Sequence, residues 1–124
     1  MRMGTVQLRI MRVIWQEDEV TAKKITEILS AQKPIAHSTV QTLLRKLEEK
    51  GAIVHEQKER TFVYRAAVAE SAVTRSAAQE FLDRVFSGSV SGLVAHLLEN
   101  EEVDPEELAL LRRMVDSKAQ EEKR

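Results

Sequence analysis

Apolar side chains recur at helical spacing in three segments near the start of the chain. This spacing predicts helices over residues 5–16, 21–30 and 37–50, with Thr21 as the N-cap residue of the second helix. The third segment has the clearest pattern. Its apolar residues lie at i, i+3, i+4 and i+7, namely Val40, Leu43, Leu44 and Leu47. Gly51 follows at a position where a left-handed residue often ends a helix.

After Gly51 the pattern changes to two short runs that are rich in β-branched and aromatic residues. These runs, at residues 52–55 and 61–65, predict two strands, and the charged residues 57–60 between them predict a connection. The simplest arrangement is a hairpin. The absence of an Asn-Gly or Asp-Gly pair leaves the length of its turn open. Three helices followed by a hairpin is the element order of a winged helix-turn-helix domain.

Three further amphipathic helices are predicted in the second half of the chain. The apolar spacing places the first over residues 69–86, and Val90, Leu93, Val94, Leu97 and Leu98 form the apolar face of a second helix of about ten residues. Asp104 and Pro105 predict the start of the last helix, and Glu107 completes a capping box with Asp104. These helices carry more apolar surface than they can bury against one another, so we expect a second copy of the chain to cover it.

The sequence therefore predicts a mainly α protein with a small β hairpin, divided into two parts. Residues 1–67 form the predicted winged helix-turn-helix domain, and residues 68–124 form the predicted helical dimerisation segment. The residues expected at the dimer interface are Phe81, Val85, Leu93, Val94, Leu97, Leu98, Leu108, Leu111 and Val115.

Composition narrows the class of protein. Hydrophobic residues make up 43% and charged residues 31% of the chain, as in soluble globular proteins. No apolar run approaches the roughly 20 residues that span a bilayer, and no signal-peptide core follows Met1. We therefore expect a cytoplasmic protein without membrane insertion. The absence of cysteine excludes disulfides, thiolate zinc sites and cysteine nucleophiles.

No catalytic or cofactor-binding motif is recognisable in the sequence. His37, His55 and His96 do not share the i, i+4 spacing of two metal ligands on one helix. The adjacent His37 and Ser38 point in directions about 100° apart on a helix, which excludes a catalytic pair. A glycine-rich phosphate-binding loop is also missing. We therefore expect no enzyme activity, no catalytic residue, no metal and no cofactor.

The polar face of the third predicted helix carries side chains that can read DNA bases. In a major groove Gln pairs with adenine, Arg pairs with guanine, and the Thr methyl group contacts the thymine methyl group. The predicted hairpin tip adds basic residues that can neutralise phosphates. Residues 1–66 are also basic, with twelve Lys/Arg against eight Asp/Glu, whereas the later residues have seven against twelve. The residues expected to bind DNA are Ser38, Thr39, Gln41, Thr42, Arg45, Lys46, Lys58 and Arg60.

The sequence also resembles a known family, the penicillinase repressors or BlaI/MecI/CopY-type regulators. The resemblance is carried by Ile10–Trp15, by Ser38–Gly51, and by Phe81–Phe86 followed by Val90–Val94, and it covers nearly the whole chain in order. It implies a homodimeric winged-helix repressor that binds inverted-repeat operator DNA. The family reads bases with the third helix, from positions that correspond to Ser38, Thr39, Gln41, Thr42 and Arg45, and grips the backbone with the wing.

Two departures from the family limit what the resemblance implies about induction. Copper-responsive members carry paired cysteines near the C-terminus, which this chain lacks. The β-lactam-responsive members are cleaved at an Asn-Phe bond, and the aligned pair here is His96-Leu97. The likeness to the β-lactam-responsive members implies a membrane-bound sensor metalloprotease as a further partner. His96 and Leu97 are then the candidate cleavage site.

Two other functions stay open from the residues alone. A winged-helix module can serve protein interaction without binding DNA, and the acidic second half of the chain suits that role. A small-molecule effector pocket is the other alternative. Gln41, Thr42 and Arg45 favour DNA binding over the first alternative, since an interaction module has no need of base-reading groups at these positions.

Overall fold

The computed structural model describes residues 1–123. Its first elements are α1 (Thr5–Glu17), β1 (Val20–Thr21), α2 (Ala22–Ser30), α3 (His37–Glu49), β2 (Ile53–Lys58) and β3 (Thr61–Ala66). The chain continues as α4 (Glu70–Phe86), α5 (Val90–Asn100) and α6 (Pro105–Glu122). The predicted fold class, mainly α with a winged-helix element order, is confirmed.

The three strands form an antiparallel sheet in the order β1, β3, β2. The sequence did not predict β1, because a strand of two residues shows no periodicity. Val20 of β1 pairs with Tyr64 of β3. Thr21 then caps α2, where its Oγ1 accepts a hydrogen bond from the backbone N of Lys24 at 3.2 Å. The sheet thus fixes the start of α2 beside β3.

The hairpin of β2 and β3, called the wing below, has longer strands than the sequence predicted. Pairing continues as far as Lys58 and Thr61, which leaves only Glu59 and Arg60 in the turn. A two-residue hairpin turn needs positive φ at its first central residue, and Glu59 has a φ of 59°. Because Gly and Asn usually occupy such positions, the residue types gave no sign of this tight turn.

One hydrophobic core joins α1, α2, α3 and the base of the wing. Its largest fully buried side chains are Ile10, Met11, Ile14, Ile25, Val40, Leu44, Leu47 and Ile53. Gly51 has a φ of 82° and directs the chain from α3 into β2, as the sequence predicts. The core therefore sets the orientation of α3 relative to the wing.

Residues 1–80 form one compact unit, and the residues from Phe81 onward form the other. The first unit includes part of α4, since Val73 is buried. Val68, in the segment before α4, packs against the core of this unit. The predicted functional division at residue 67 stays a prediction, whereas the compact fold itself extends to Glu80.

The second unit contains the end of α4 together with α5 and α6. The Ser89 Oγ caps α5 by accepting a hydrogen bond from the backbone N of Gly92 at 2.9 Å. The last helix begins at Pro105, as predicted, but the predicted capping box is wrong because the Asp104 side chain makes no capping hydrogen bond. Neither α5 nor α6 contains a buried residue. In residues 1–123 every helix is too short or too polar to cross a membrane.

Candidate nucleic-acid interface

The outward face of α3 presents a strip of polar side chains on the surface of the first unit. All six residues of this helix that the sequence predicts to bind DNA are exposed, namely Ser38, Thr39, Gln41, Thr42, Arg45 and Lys46. The opposite face contributes Val40, Leu44 and Leu47 to the core. Because that face is anchored, the polar strip is held on a rigid helix and is free to contact a partner.

Two hydrogen bonds orient the centre of this strip. The Thr42 hydroxyl donates to the carbonyl oxygen of Ser38 at 3.0 Å, one turn earlier in α3. The Arg45 Nη2 donates to the Thr42 Oγ1 at 3.4 Å. The guanidinium therefore lies along the helix surface and keeps most of its N–H donors for a ligand.

The start of α3 is held by a residue for which the sequence gave no role. The Nδ1 of His37 lies 3.1 Å from the Oγ1 of Thr26 in α2. That hydroxyl donates its proton to the carbonyl oxygen of Ala22 at 2.8 Å. It can therefore only accept from His37, which assigns the proton of the imidazole to Nδ1. The bond fixes the first residue of α3 against α2.

The two basic residues of the wing differ in their surroundings. The Lys58 Nζ lies 3.2 Å from both carboxylate oxygens of Glu19, in the connection before β1. Arg60 has no hydrogen-bond or ion-pair partner within the described part of the chain. Sequence reasoning missed Glu19, because the two residues lie far apart in the chain and approach only when β1 pairs with β3. Among the described residues, the wing tip therefore offers Arg60 as a free cation and Lys58 as a paired one.

A cleft of about 610 Å³ separates the start of α2 and α3 from the wing. It brings together two of the predicted DNA-binding residues, Gln41 of α3 and Arg60 of the wing. The remaining lining residues are Thr21, Ala22, Lys23, His37, Thr61, Phe62 and Tyr64. Lys58 is not among them. With Lys23 and Arg60 on its walls, the cleft suits a negatively charged group.

On the wing side of the cleft, the surroundings of Tyr64 shift the pKa of its hydroxyl. Partial burial raises the pKa of its hydroxyl above the ordinary value, and the Glu48 carboxylate raises this pKa further. The Arg45 guanidinium has a smaller, opposite effect on the pKa. Tyr64 thus stays protonated at neutral pH. Glu48 and Arg45 of α3 lie close enough to shift its pKa.

The second unit carries the residues that the sequence predicts at a dimer interface. Leu93 is half-buried, and the other eight are between 37% and 67% exposed. These eight are Phe81, Val85, Val94, Leu97, Leu98, Leu108, Leu111 and Val115. At the candidate cleavage site, the His96 ring packs edge-on against Phe86 with ring centroids 5.8 Å apart.

Within residues 1–123, no group of three or more His, Cys, Asp or Glu side chains is arranged to hold a metal ion.

Comparison with known proteins gives a match over almost the whole chain. The family model described as "Penicillinase repressor" matches residues 3–117. The penicillinase repressor of Bacillus licheniformis is 29% identical over 115 residues, which cover 93% of this chain and 90% of that protein.

Two solved structures are similar to the first part of the chain. The DNA-binding domain of the repressor BlaI is 31% identical, with a TM-score of 0.52 over 56% of this chain and 85% of that domain. The monomeric form of BlaI from Bacillus licheniformis, solved in complex with the blaP half-operator, is also 31% identical. Its TM-score is 0.50, and the match covers 57% of this chain and 87% of that one.

Proposed function

Because the chain belongs to the penicillinase repressor family, we propose that it is a transcriptional repressor that binds operator DNA through α3 and the wing. The observation that carries this proposal is the exposed polar strip of α3, in a fold similar to that of BlaI, whose complex with a half-operator has been solved. An amphipathic helix of this width fits the major groove with its polar face toward the bases.

In this proposal each polar residue of α3 contacts the DNA group that suits its side chain. Gln41 is suited to bidentate pairing with adenine, and Arg45 to bidentate pairing with guanine O6 and N7. The methyl groups of Thr39 and Thr42 can contact thymine methyl groups. Ser38 and Lys46, at the two ends of the strip, contact the backbone or a flanking base. The contacts to base edges supply sequence specificity.

The wing supplies affinity that does not depend on base sequence. Arg60 is free to neutralise a phosphate, and Lys58 can do so once it leaves Glu19. The cleft between α3 and the wing holds Gln41 and Arg60 on one side of the first unit. A DNA backbone that passes along this cleft can reach Arg60 while α3 lies in the adjacent groove.

In vitro selection from a random duplex library tests this proposal without knowledge of the operator. We expect the purified chain to enrich an inverted repeat, and the affinity for that duplex to fall linearly in log–log form as salt rises. A scrambled duplex of the same composition is the control. Failure to enrich any sequence, or binding that is insensitive to salt, contradicts DNA recognition and favours the protein-interaction module instead.

We also propose that the chain acts as a homodimer through the second unit. The exposed apolar side chains of α4, α5 and α6 make a surface that a soluble monomer rarely leaves open. A twofold partner presents the same apolar surface and covers it by self-complementary packing. Two DNA-binding domains held in this way match the two halves of an inverted repeat.

Proteolytic release is the induction route that the family resemblance supports. Cleavage by a membrane-bound sensor metalloprotease between His96 and Leu97 would cut α5 and separate apolar side chains of the proposed dimer. A short helix between Gly88 and the loop before Pro105 can open locally and give a protease extended backbone. Mass spectrometry of the repressor from induced cells tests this. Fragments that end at His96 support cleavage, whereas intact chain on vacated operators contradicts it.

A further inference from the structure

The side of the wing that faces α3 carries three rings in contact. His55 of β2 pairs across the sheet with Tyr64 of β3, and their ring centroids lie 6.0 Å apart. His55 also stacks on Phe62, with centroids 4.2 Å apart and ring planes 19° apart. Phe62 lines the cleft beside Arg60. The position of the His55 ring is therefore coupled to the part of the wing proposed to meet DNA.

One side chain of α3 is hydrogen-bonded to this ring cluster. The Glu48 carboxylate is hydrogen-bonded to the Nδ1 of His55. In residues 1–123 this is the only side-chain hydrogen bond between α3 and the wing. Both side chains are about a third exposed, at 33% for His55 and 36% for Glu48, so the pair is partly shielded from water. The proposed base-reading helix and the proposed phosphate-binding wing are thus joined by one polar contact.

The wing is held unevenly along its two strands. β3 pairs with β1 at Val63 and Tyr64, and Glu19 pairs with Lys58 near the tip, whereas β2 is held mainly at its base. Ile53 is buried, but every later residue of β2 is exposed. Phe62 on β3 is 44% exposed. Apolar packing therefore anchors β2 only where it leaves α3, whereas Tyr64 of β3 also packs against the core. Because β2 is an edge strand of the sheet, a contact between its exposed part and α3 limits how the wing can bend relative to that helix.

We propose that Glu48 and His55 are positioning residues that hold the wing at a fixed distance from α3, so that Arg60 reaches a phosphate while α3 lies in the groove. This inference rests on the proposed function. The pair acts through the ring stack. His55 stacks on Phe62, and Phe62 lies close to Arg60 both in sequence and in the lining of the cleft. Neither residue needs to touch DNA itself.

The test measures how much Arg60 contributes to binding with and without the pair. Affinities for the selected inverted repeat are measured by fluorescence anisotropy for the full chain, Arg60→Ala, Glu48→Gln and the double variant. In the parent chain we expect Arg60→Ala to weaken binding about fivefold, as the loss of one phosphate contact does. In the Glu48→Gln background the same change should weaken binding less than about twofold, because Arg60 no longer reaches its phosphate.

The matched control is Glu49→Gln. This change removes the same charge from the adjacent position of α3, and Glu49 makes no hydrogen bond or ion pair with the wing within the described part of the chain. We expect Arg60→Ala to keep its full effect in this background. The comparison cancels the general gain in DNA affinity that follows when any carboxylate near the duplex is removed.

Variants of His55 provide a second readout. His55→Phe keeps a ring to stack on Phe62 but cannot bond Glu48, whereas His55→Asn keeps a donor near the position of Nδ1. We expect the effect of Arg60→Ala to be small in the His55→Phe background. In the His55→Asn background the effect should be partly restored, because a donor to Glu48 is present again. Circular dichroism melting curves confirm that each variant is folded.

The outcomes separate this inference from the proposed function. A full effect of Arg60→Ala in Glu48→Gln and in His55→Phe overturns the positioning role, while operator binding stands. No effect of Arg60→Ala in the parent chain overturns both the positioning role and the phosphate contact of the wing. Only the absence of sequence-selective binding by the parent chain contradicts the proposed function as a whole.

Discussion

Trp15 donates its indole Nε1–H to the carbonyl oxygen of Val68 at 3.0 Å, and so joins α1 to the segment that follows the wing. A partly buried indole needs such an acceptor, because an unpaired N–H in the interior is costly. Val68 also packs its side chain against the core, and Val73 of α4 is buried. The stability of the winged helix therefore depends on residues beyond the wing itself.

A truncation after Glu80 should fold more stably than one after residue 67. The shorter chain loses the acceptor of Trp15 and the burial of two valines, which together contribute at least about 2 kcal/mol to the free energy of unfolding. Urea unfolding followed by Trp15 fluorescence measures the difference. Equal midpoints for the two truncated chains would contradict the contribution of residues 68–80.

Arg45→Ala should reduce operator affinity more than affinity for random DNA. A bidentate contact to guanine is worth about 1–3 kcal/mol of discrimination, whereas a phosphate contact weakens all sequences alike. Arg45→Lys is the informative control, because it keeps the charge and loses the planar fork. Equal losses on the selected and random duplexes would assign Arg45 to the backbone.

Glu19→Gln should strengthen DNA binding of both specific and random duplexes by a factor of about two to five, since an exposed ion pair is worth up to about 1 kcal/mol. Lys58 must leave Glu19 before it can neutralise a phosphate, and the substitution removes that competition. In Lys58→Met the same substitution should have no such effect. A gain of equal size with and without Lys58 would point to long-range charge in place of the ion pair.

Because of Tyr64, the stability of the first unit should fall at alkaline pH. Its folded-state pKa is raised by burial and by Glu48, so the folded protein holds the phenolic proton more tightly than the unfolded chain. The resulting stability is present below the ordinary tyrosine pKa of about 10 and is lost as the pH rises through the folded value. Urea midpoints between pH 8 and pH 11 should therefore fall more steeply for the parent chain than for Tyr64→Phe. Parallel curves would contradict this assignment.

The helices could be predicted from the sequence because each buries a regular apolar stripe. Thr21 and Gly51 marked two helix ends correctly, since capping and left-handed geometry restrict the residue types that fit. The tight turn at Glu59 could not be predicted, because the residue type does not favour the backbone that the sheet imposes. The pairing of β2 with β3 outweighed the backbone preference of Glu59.

The polar contacts of the candidate site were beyond sequence reasoning for a different reason. Glu19 approaches Lys58, and Glu48 approaches His55, only after β1 and the wing have folded onto the helices. Charged residues are common on every surface, so a sequence does not show which of them will meet. The exposed strip of α3 could be predicted because it is the reverse of the leucine face.

Leu97→Asp should convert the proposed dimer into monomers. Leu97 is 44% exposed in the single chain and lies on α5 among other exposed apolar side chains. In a twofold dimer the substitution occurs twice. It removes the apolar area that each Leu97 buries on association and places two carboxylates in an apolar interface, which together cost at least about 3 kcal/mol. The dissociation constant should therefore rise at least a hundredfold, since each 1.4 kcal/mol corresponds to about tenfold.

Sedimentation equilibrium of the free protein measures this change, and Val54→Asp is its matched control. Val54 is also 44% exposed but lies on β2 in the first unit, outside the proposed interface. The same new carboxylate at the same exposure should leave the dissociation constant unchanged there. If Leu97→Asp and Val54→Asp behave alike, the apolar face of the second unit does not form the dimer. A parent chain that is monomeric at micromolar concentration would contradict the homodimer, and binding to the two half-sites would then be independent.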